Sequence, residues 1–590
     1  MERLRGNWPI LLIWLAVCAV MIFVTRGQIA SGMGWGPDDQ LRMVQLRDWL
    51  GGQSWFDTVQ YRIGEPDSQP MHWPRWIELP LALVFLLFKP LLGAATAETS
   101  AMVIVPLVTL GFAMWLVVQI TEPIFDRKVA LLAAALTATA VPIVAQIRPM
   151  RVDHHGWQIV LALAALWTLF WPEKRQGGIV LGTVLALWLS ISLEGLPLSA
   201  AFIVLLVWRW AFEIEKGVRL FWTLLSFLIA SFLFYFATQG HFDIAINYCD
   251  ALSPAHLLAC TAGAAIMLPA IKWLPANLPL RAICLVVAGG AGLSVLYGFA
   301  PQCMGGAFNT MDPLVREYWL VNVLEGLPIW YQNGKNMVTI VGGSIIVGFV
   351  SLAFILWSRP TGIDHRKLSV LAYAFLWALL LSLFVQRAMA VAAAFALPFM
   401  AWAVHLAFVR ARAIKRPVSR IFATVAVVML VLPGPLAVAL FNAVDAKEQA
   451  SPKSPDAALC DKDASLARLN ALPRSNILAP FDFGPPILLL TPHSVLATSH
   501  HRNDQAMADQ IRIFTSAPDK ARALLEHHNI RYIVACSEEP ELALYAKKHP
   551  EGLWAQLANG NQPEWLQSVH IRDSGLILWR VLPTGLRNET

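Results

Sequence analysis

Residues 148–155 read Arg-Pro-Met-Arg-Val-Asp-His-His and lie between two apolar runs, 129–147 and 157–171. An acidic side chain is costly to keep beside the hydrocarbon core of a bilayer, so one placed there is a candidate functional residue. Asp153 and His155 are alternate residues and can face one centre if the loop is extended. A carboxylate and an imidazole gathered in this way can bind a divalent metal. We therefore predict a metal site at the membrane face, with a solvated turn as the alternative.

The composition of the whole chain is that of a membrane protein. Of its 590 residues, 57% are hydrophobic and only 14% are charged, whereas about 25% of the residues of a soluble domain are charged. Many of the 24 Trp residues are expected at membrane interfaces. The net charge of +6 is modest, and we expect no nucleic-acid partner.

The apolar runs predict an α-helical polytopic protein. A spanning helix needs about 20 apolar residues, and the sequence contains about thirteen such runs. The predicted spans are residues 8–25, 101–121, 129–147, 157–171, 179–194, 196–211, 220–237, 255–272, 282–299, 337–357, 368–386, 389–408 and 420–440. The apolar stretch 79–96 contains a Lys and two Pro residues, so it is predicted to lie within an outer loop. We see no internal repeat in the chain.

The cationic residues predict the orientation of these spans. Lys and Arg residues fall mainly in the loops on one side, for example at 127–128, 174–175, 359–367 and 410–416. By the positive-inside rule this side is cytoplasmic, together with the N-terminus. We expect a bacterial inner-membrane protein with a transmembrane catalytic domain, 1–440, and a small periplasmic α/β domain, 441–590. Cys460 and Cys536 lie in that domain and could pair, although the sequence does not decide this.

Further candidate residues lie in the predicted outer loops. Arg148 and Arg151 suit a phosphate or pyrophosphate. Asp38 and Asp39 follow the first span, where capping of the next helix is the alternative for one of them. That helix, from Gln40 to Leu50, is predicted to be amphipathic and to rest on the membrane surface.

Three more candidates each have an alternative interpretation. His72 could bind substrate or form part of an interfacial aromatic pair with its neighbour. Glu325 could contact substrate or be a solvated loop residue. Arg387 lies at the outer end of a span, where it could hold an anion or extend to the interface.

These motifs resemble those of the catalytic subunit of oligosaccharyltransferase, especially its single-subunit bacterial and archaeal forms, within the GT-C glycosyltransferases. The resemblance covers the membrane part of the chain. It implies thirteen spans, a long first outer loop and an outward C-terminal domain, as in the predicted layout. By this resemblance, Asp38, Asp153 and His155 are metal ligands, and Asp38, Asp153 and Glu325 are catalytic. Glu325 helps to bind the acceptor amide, and Arg387 holds the donor phosphate.

The C-terminal domain departs from the family pattern. The family reads the Ser or Thr of a glycosylation sequon with a Trp-Trp-Asp-Tyr-Gly motif. Here residues 480–484 read Pro-Phe-Asp-Phe-Gly, so the Asp and Gly are present and both Trp are absent. Asp482 is therefore a candidate substrate-binding residue, and an acceptor other than a sequon is favoured.

The combined hypothesis is a membrane glycosyltransferase that uses Mg²⁺ or Mn²⁺. It would move a sugar or oligosaccharide from a polyprenyl phosphate or pyrophosphate carrier in the bilayer to a protein, lipid or polysaccharide acceptor outside the cytoplasm. The alternative is a multi-span transporter or flippase of lipid-linked glycans. A transporter would place its charges at mid-span, on broken helices in matching halves of the chain. A membrane anchor for a binding module would not explain the acids and histidines of the outer loops.

Overall fold

The computed structural model describes residues 6–334, 343–429, 462–536, 539–571 and 575–583, together with residues 337, 341 and 439. The chain is mostly helical and forms two compact units. One, here called the membrane unit, comprises the described residues of Met1–Ser31, Trp73–Thr310 and Leu324–Ala443. The other, here called the C-terminal unit, comprises those of Gly32–His72, Met311–Val323 and Val444–Thr590. The predicted fold class, a polytopic helical protein with a small C-terminal α/β part, is confirmed.

Seven helices in the described part of the chain are long and apolar enough to cross a membrane. They are Ala94–Thr121, Leu193–Ala211, Val218–Gln239, Pro254–Trp273, Leu278–Phe299, His365–Phe384 and Gln386–Arg412. Shorter helices lie at other predicted spans: Trp8–Val24, His155–Thr168, Lys174–Ile191, Ser344–Ser358 and Pro417–Met429. The protein is thus a multi-pass membrane protein. The count of thirteen crossings stays a prediction, because the predicted spans 337–357 and 420–440 extend into residues that the structure does not describe.

The predicted continuous span at 129–147 is wrong. This stretch divides into the helices Arg127–Leu136 and Val141–Gln146, which are joined by the 3-10 turn Thr137–Thr139. Val141 and Pro142 begin the second helix, and Ala140, which caps it, is extended, with ψ of 92°. Proline has no backbone N–H, so the hydrogen bonding of the first helix cannot continue through Pro142. The backbone is therefore broken at residues 137–140, and only the short helix Val141–Gln146 separates this break from the loop of the Asp-His-His triplet.

The first half of the helix Met389–Arg412 is buried in the membrane unit. Its first thirteen residues, 389–401, are all buried, and six of them are alanines. Small residues let neighbouring helices approach closely in a membrane. A Cβ added at Gly348 of the helix Ser344–Ser358 would lie 2.7 Å from the Cβ of Ala396. This packing fixes the start of the helix, which Arg387 immediately precedes.

The C-terminal unit contains a five-stranded sheet. Its strands are β1 (Asn476–Leu478), β2 (Ser494–Val495), β3 (Ile530–Ala535), β4 (Leu566–Ser568) and β5 (Ile577–Val581), in the order β2-β1-β3-β5-β4. Strand β1 pairs in parallel with β2 and β3, whereas β5 is antiparallel to β3 and β4. Strand β3 is buried at every position except Arg531, as expected of a strand covered on both faces. The helices around the sheet are Lys462–Ala467, Gly484–Leu490, Asp504–Thr515, Pro518–His527, Pro540–Lys548 and Leu553–Ala558.

The prediction of a surface helix at residues 40–50 is wrong. The helix Pro37–Leu50 belongs to the C-terminal unit, and its residues 39–46 are all buried. It packs against the helix Gly484–Leu490, where the Arg47 guanidinium donates a hydrogen bond to the carbonyl of Leu489 at 2.6 Å. The apolar side chains of this helix are covered by protein, and burial in protein gives the same sequence pattern as burial in lipid.

A disulfide joins two loops of the membrane unit. Cys249 follows the helix Val218–Gln239 and pairs with Cys303, which follows the helix Leu278–Phe299. Sequence reasoning did not predict this pair. The pairing considered for Cys460 and Cys536 falls outside the described residues, because Cys460 is not among them.

Candidate active site

A tight loop presents the Asp-His-His triplet. It follows the helix Val141–Gln146 and ends where the helix His155–Thr168 begins. Met150 has a φ of 71°, which is uncommon for a residue other than glycine. The Met150 N–H donates to the carbonyl of Met102 at 2.8 Å, and the Arg151 N–H donates to the carbonyl of Arg148 at 3.0 Å. The first hydrogen bond holds the loop against the helix Ala94–Thr121, and the second closes a turn within the loop.

The three side chains of the triplet are buried and converge. Asp153 Oδ1 lies 2.6 Å from His154 Nδ1 and also accepts the His154 backbone N–H at 2.6 Å. Asp153 Oδ2 lies 3.2 Å from His155 Nε2 and 3.5 Å from Arg151 Nη2. One ligand atom from each of Asp153, His154 and His155 lies within 4.8 Å of the others, so the group could hold a metal ion. The donor set, one carboxylate and two imidazoles, is suitable for a divalent cation.

The charges around the triplet favour an ionised carboxylate. Burial alone would raise the pKa of Asp153, but the two histidines and Arg151 outweigh it and hold that pKa well below its ordinary value. Burial lowers the pKa of His155, and there it outweighs the attraction of Asp153. In His154, the contacts with Asp153 and Glu194 outweigh burial and raise the pKa. An ionised Asp153 and a neutral His155 are the forms that bind metals.

Glu194 extends this cluster from a second loop. It lies in the 3-10 turn Leu193–Gly195, between the helices Lys174–Ile191 and Leu196–Ala211. Its Oε2 is 3.7 Å from His154 Nε2 and 3.7 Å from His155 Nδ1. The same oxygen accepts a hydrogen bond from Gln158 Nε2 at 3.1 Å. A second carboxylate, from a different loop, thus faces the histidine pair.

Arg387 joins two carboxylates at the edge of the site. Its Nη1 lies 2.5 Å from Glu194 Oε1, and its Nη2 lies 3.3 Å from Glu325 Oε1. The arginine is on the 3-10 turn Gln386–Ala388, just before the buried helix Met389–Arg412. Its side chain is 18% exposed. The structure therefore brings Asp153, His155, Arg151, Glu325 and Arg387 into one region of the membrane unit, and Arg148 lies on the same loop as the triplet.

The other predicted site residues belong to the C-terminal unit. Asp38 is half-buried in the first turn of the helix Pro37–Leu50, and capping of this helix falls to Asp39, whose Oδ2 accepts the Gly36 N–H at 3.1 Å. His72 lies with its ring 4.2 Å from that of His501. Asp482 is exposed on the 3-10 turn Phe481–Phe483, between two buried phenylalanines. The convergence of Asp38 with Asp153 stays a prediction, because the two residues lie in different compact units.

Sequence reasoning missed two members of the site, His154 and Glu194. His154 is the middle residue of the triplet, whose outer two residues are the predicted ligands, and Glu194 is the last residue of the predicted span 179–194. The pentapeptide Leu-Glu-Gly-Leu-Pro occurs at 193–197 and again at 324–328, and both of its glutamates contact Arg387. This shared pentapeptide is the sequence signal for Glu194.

No protein-family model matches the sequence, and a search of curated proteins finds no match. The structure, by contrast, has the GT-C fold of membrane glycosyltransferases, as the sequence resemblance implied. The similar solved structures include the archaeal oligosaccharyltransferase AglB from Archaeoglobus fulgidus in complex with an inhibitory peptide and a dolichol-phosphate. It has a TM-score of 0.62 and 15% identity, over 96% of this chain and 73% of that one.

Two further structures of the Archaeoglobus fulgidus oligosaccharyltransferase are also similar. One is tethered to an acceptor peptide containing the NVT sequon, with a TM-score of 0.62 and 14% identity over 99% of this chain and 76% of that one. The other is a complex with Zn and sulfate, with a TM-score of 0.58 and 16% identity over 89% and 68%. At these identities the likeness is one of fold.

Proposed function

We propose that this chain is a metal-dependent glycosyltransferase that moves a sugar or oligosaccharide from a polyprenyl phosphate or pyrophosphate carrier to an extracytoplasmic acceptor. The observation that carries the proposal is one continuous group of side chains. Asp153, His154 and His155 could hold a cation, and Glu194 connects them to Arg387. A cation beside an arginine is the arrangement that phosphate chemistry needs, because both neutralise charge on a leaving phosphate. The GT-C fold is consistent with this chemistry.

In this proposal Asp153 and His155 bind the metal, with Asp38 as a third ligand and His154 beside them. When bound, a divalent cation would act as a Lewis acid on the leaving phosphate of the donor. We favour Mn²⁺ over Mg²⁺, because Mg²⁺ prefers oxygen ligands and this ligand set includes the imidazole of His155. The Zn and sulfate complex of the archaeal relative agrees with metal and anion binding in this fold.

The donor would be held by arginines at the end of the spans. Arg387 would contact its phosphate, with Arg148 and Arg151 on the neighbouring loop adding positive charge. The polyprenyl tail would lie in the bilayer beside the apolar helices. The dolichol-phosphate bound to the archaeal oligosaccharyltransferase is a lipid of this kind. A transporter is disfavoured because Asp153, Glu194 and Arg387 each lie at the end of a helix and not at mid-span.

We place the site on the periplasmic side of a bacterial inner membrane, with the N-terminus in the cytoplasm. The disulfide supports this orientation, because such bonds persist in oxidising compartments. Four helices separate the Asp153 loop from Cys249: His155–Thr168, Lys174–Ile191, Leu196–Ala211 and Val218–Gln239. If each of them crosses the membrane, the disulfide and the metal cluster lie on the same, oxidising side.

The acceptor would meet Glu325 and residues of the C-terminal part, which the sequence delimits at 441–590. Glu325 would position the acceptor group, and His72 and Asp482 are candidates for further substrate contacts. Both Trp of the sequon-reading motif are absent, so we favour a lipid or polysaccharide acceptor over an Asn-X-Ser/Thr sequon. The proposed acceptor therefore differs in kind from the NVT sequon peptide that is tethered to the archaeal oligosaccharyltransferase.

The test uses cells that lack the protein and are complemented with wild type, D153N or E122Q. Asp153→Asn keeps the size of the side chain and removes its charge, so we expect glycan transfer to fall at least about 100-fold, with accumulation of the lipid-linked donor. The control is Glu122→Gln, which should restore transfer. Glu122 forms an ion pair with Arg127 at the C-terminal end of the helix Ala94–Thr121. Glycans of proteins, lipopolysaccharide and capsule are analysed together. Normal transfer by D153N at wild-type protein levels would refute the proposal.

A further inference from the structure

The two carboxylate oxygens of Glu194 face different parts of the site. Oε1 contacts Arg387 Nη1 at 2.5 Å. Oε2 faces the two imidazoles at 3.7 Å each and accepts a hydrogen bond from Gln158 Nε2. The carboxylate therefore lies between the candidate metal ligands and the candidate phosphate ligand. Neither the family resemblance nor the comparisons assign a role to this position.

The backbone under Glu194 is held on several sides. The Glu194 N–H donates to Ser192 Oγ at 3.3 Å. Gly195 packs on the buried Trp188 so closely that a Cβ there would lie 2.4 Å from the indole nitrogen. Trp377 donates its indole N–H to the carbonyl of Pro197 at 3.2 Å. A loop fixed in this way can orient the groups that its carboxylate touches.

We infer that Glu194 is a positioning residue that couples metal binding at the histidine pair to phosphate binding at Arg387. The inference rests on the proposed function and names the residue that connects its metal site to its phosphate site. One oxygen holds the guanidinium in the orientation that a donor phosphate needs, and the other holds His154 and His155 in the orientation that a cation needs. Partners that orient metal ligands typically contribute 10–100-fold to metal affinity or activity.

The two ion pairs of Arg387, with Glu194 and with Glu325, would then respond differently to phosphate binding. Glu325 is held to Arg387 by a single contact at 3.3 Å, so a phosphate can exchange with it. Glu194 has the arginine on one oxygen and Gln158 on the other, so it stays in place. The guanidinium therefore remains bound to Glu194 through Nη1, while Nη2 binds the donor phosphate in place of Glu325.

The experiment measures two affinities on the full-length protein in detergent. Mn²⁺ binding is measured by electron paramagnetic resonance, and undecaprenyl phosphate binding by the change in intrinsic Trp fluorescence. For Glu194→Gln we expect both affinities to fall, each by about 10-fold. For Glu325→Gln, the matched variant in the other pentapeptide, we expect Mn²⁺ affinity within about twofold of wild type. Glu194→Asp keeps the charge and should recover part of both losses.

The outcomes separate this inference from the proposed function. If the wild type binds neither Mn²⁺ nor undecaprenyl phosphate, the proposed function fails. If the wild type binds both, and E194Q binds both as well as the wild type does, the coupling role is overturned and the function stands. Loss of only one affinity in E194Q also overturns it, because a coupling residue must affect both. If E194Q does not fold, E194D decides in the same way, since a lost methylene shifts the carboxylate away from both groups.

Discussion

The two Leu-Glu-Gly-Leu-Pro segments have one sequence and two different settings. At 193–197 the pentapeptide joins the helices Lys174–Ile191 and Leu196–Ala211. At 324–328 it is followed by the short 3-10 turn Ile329–Tyr331. In both copies the first three residues form a 3-10 turn and the glutamate contacts Arg387. The pentapeptide sequence therefore determines the 3-10 turn. The residues packed around each copy determine how many contacts its glutamate makes.

The difference in anchoring is visible at the glycines. Gly195 is buried against Trp188, whereas Gly326 is half-buried, and a Cβ there would meet only Arg387 Nη2, at 3.5 Å. The residue before the first copy, Ser192, accepts a backbone N–H, and the residue before the second copy is Val323, which has no such acceptor. Glu194, whose two oxygens both have partners, is suited to orient Arg387. Glu325, whose carboxylate has one contact, is suited to give up that contact.

Removing the shared partner gives the largest expected effect. In Arg387→Ala both carboxylates lose their counter-charge, and transfer should fall at least about 100-fold, the magnitude expected when one electrostatic contact to a transition state is lost. Hydrogen exchange should rise at residues 324–331 and stay near wild type at residues 193–197, because the first copy also joins two helices and packs on Trp188. Arg410→Ala, at the exposed end of the same helix region, is the control. Equal exchange in both copies would contradict the assigned difference.

The glycine pair gives the next largest effect. Gly195→Ala forces its Cβ into Trp188 and should lower the free energy of unfolding by about 1–3 kcal/mol. Gly326→Ala meets one ordinary contact and should change it by less than about 0.5 kcal/mol. Thermal unfolding of both variants in the same detergent checks this. Similar unfolding temperatures for the two would show that Gly195 is not tightly packed.

The smallest expected effect comes from the residue before the first copy. Ser192→Val gives this copy the flanking residue of the second and removes the acceptor of the Glu194 N–H. We expect a loss of about 0.5–1 kcal/mol in the free energy of unfolding, as for other lost caps. Ser192→Thr keeps the hydroxyl and serves as the matched control. Equal losses in the two variants would point to packing and not to the hydrogen bond.

Much of the fold could be predicted because its signals are local. Long apolar runs predict membrane helices, and the small α/β part predicted at the C-terminal end contains the five-stranded sheet. The Asp-His-His triplet was visible because its members are adjacent. Glu194 was hidden because its importance depends on Arg387, which lies 193 residues further along the chain. The helix at 37–50 was misplaced for a similar reason, since sequence does not tell a protein neighbour from a lipid one.

The bond between Cys249 and Cys303 closes a ring of chain around the helices Pro254–Trp273 and Leu278–Phe299, across a separation of 54 residues. The link between those helices, at residues 274–277, lies at the other end of the pair. A protease that cuts there opens the ring without releasing a fragment, so the two pieces run as one band on a gel until a thiol reagent is added. The protease can cut there only if it reaches the membrane face opposite the disulfide. Cleavage by a protease added to one side therefore shows on which side of the membrane the disulfide lies.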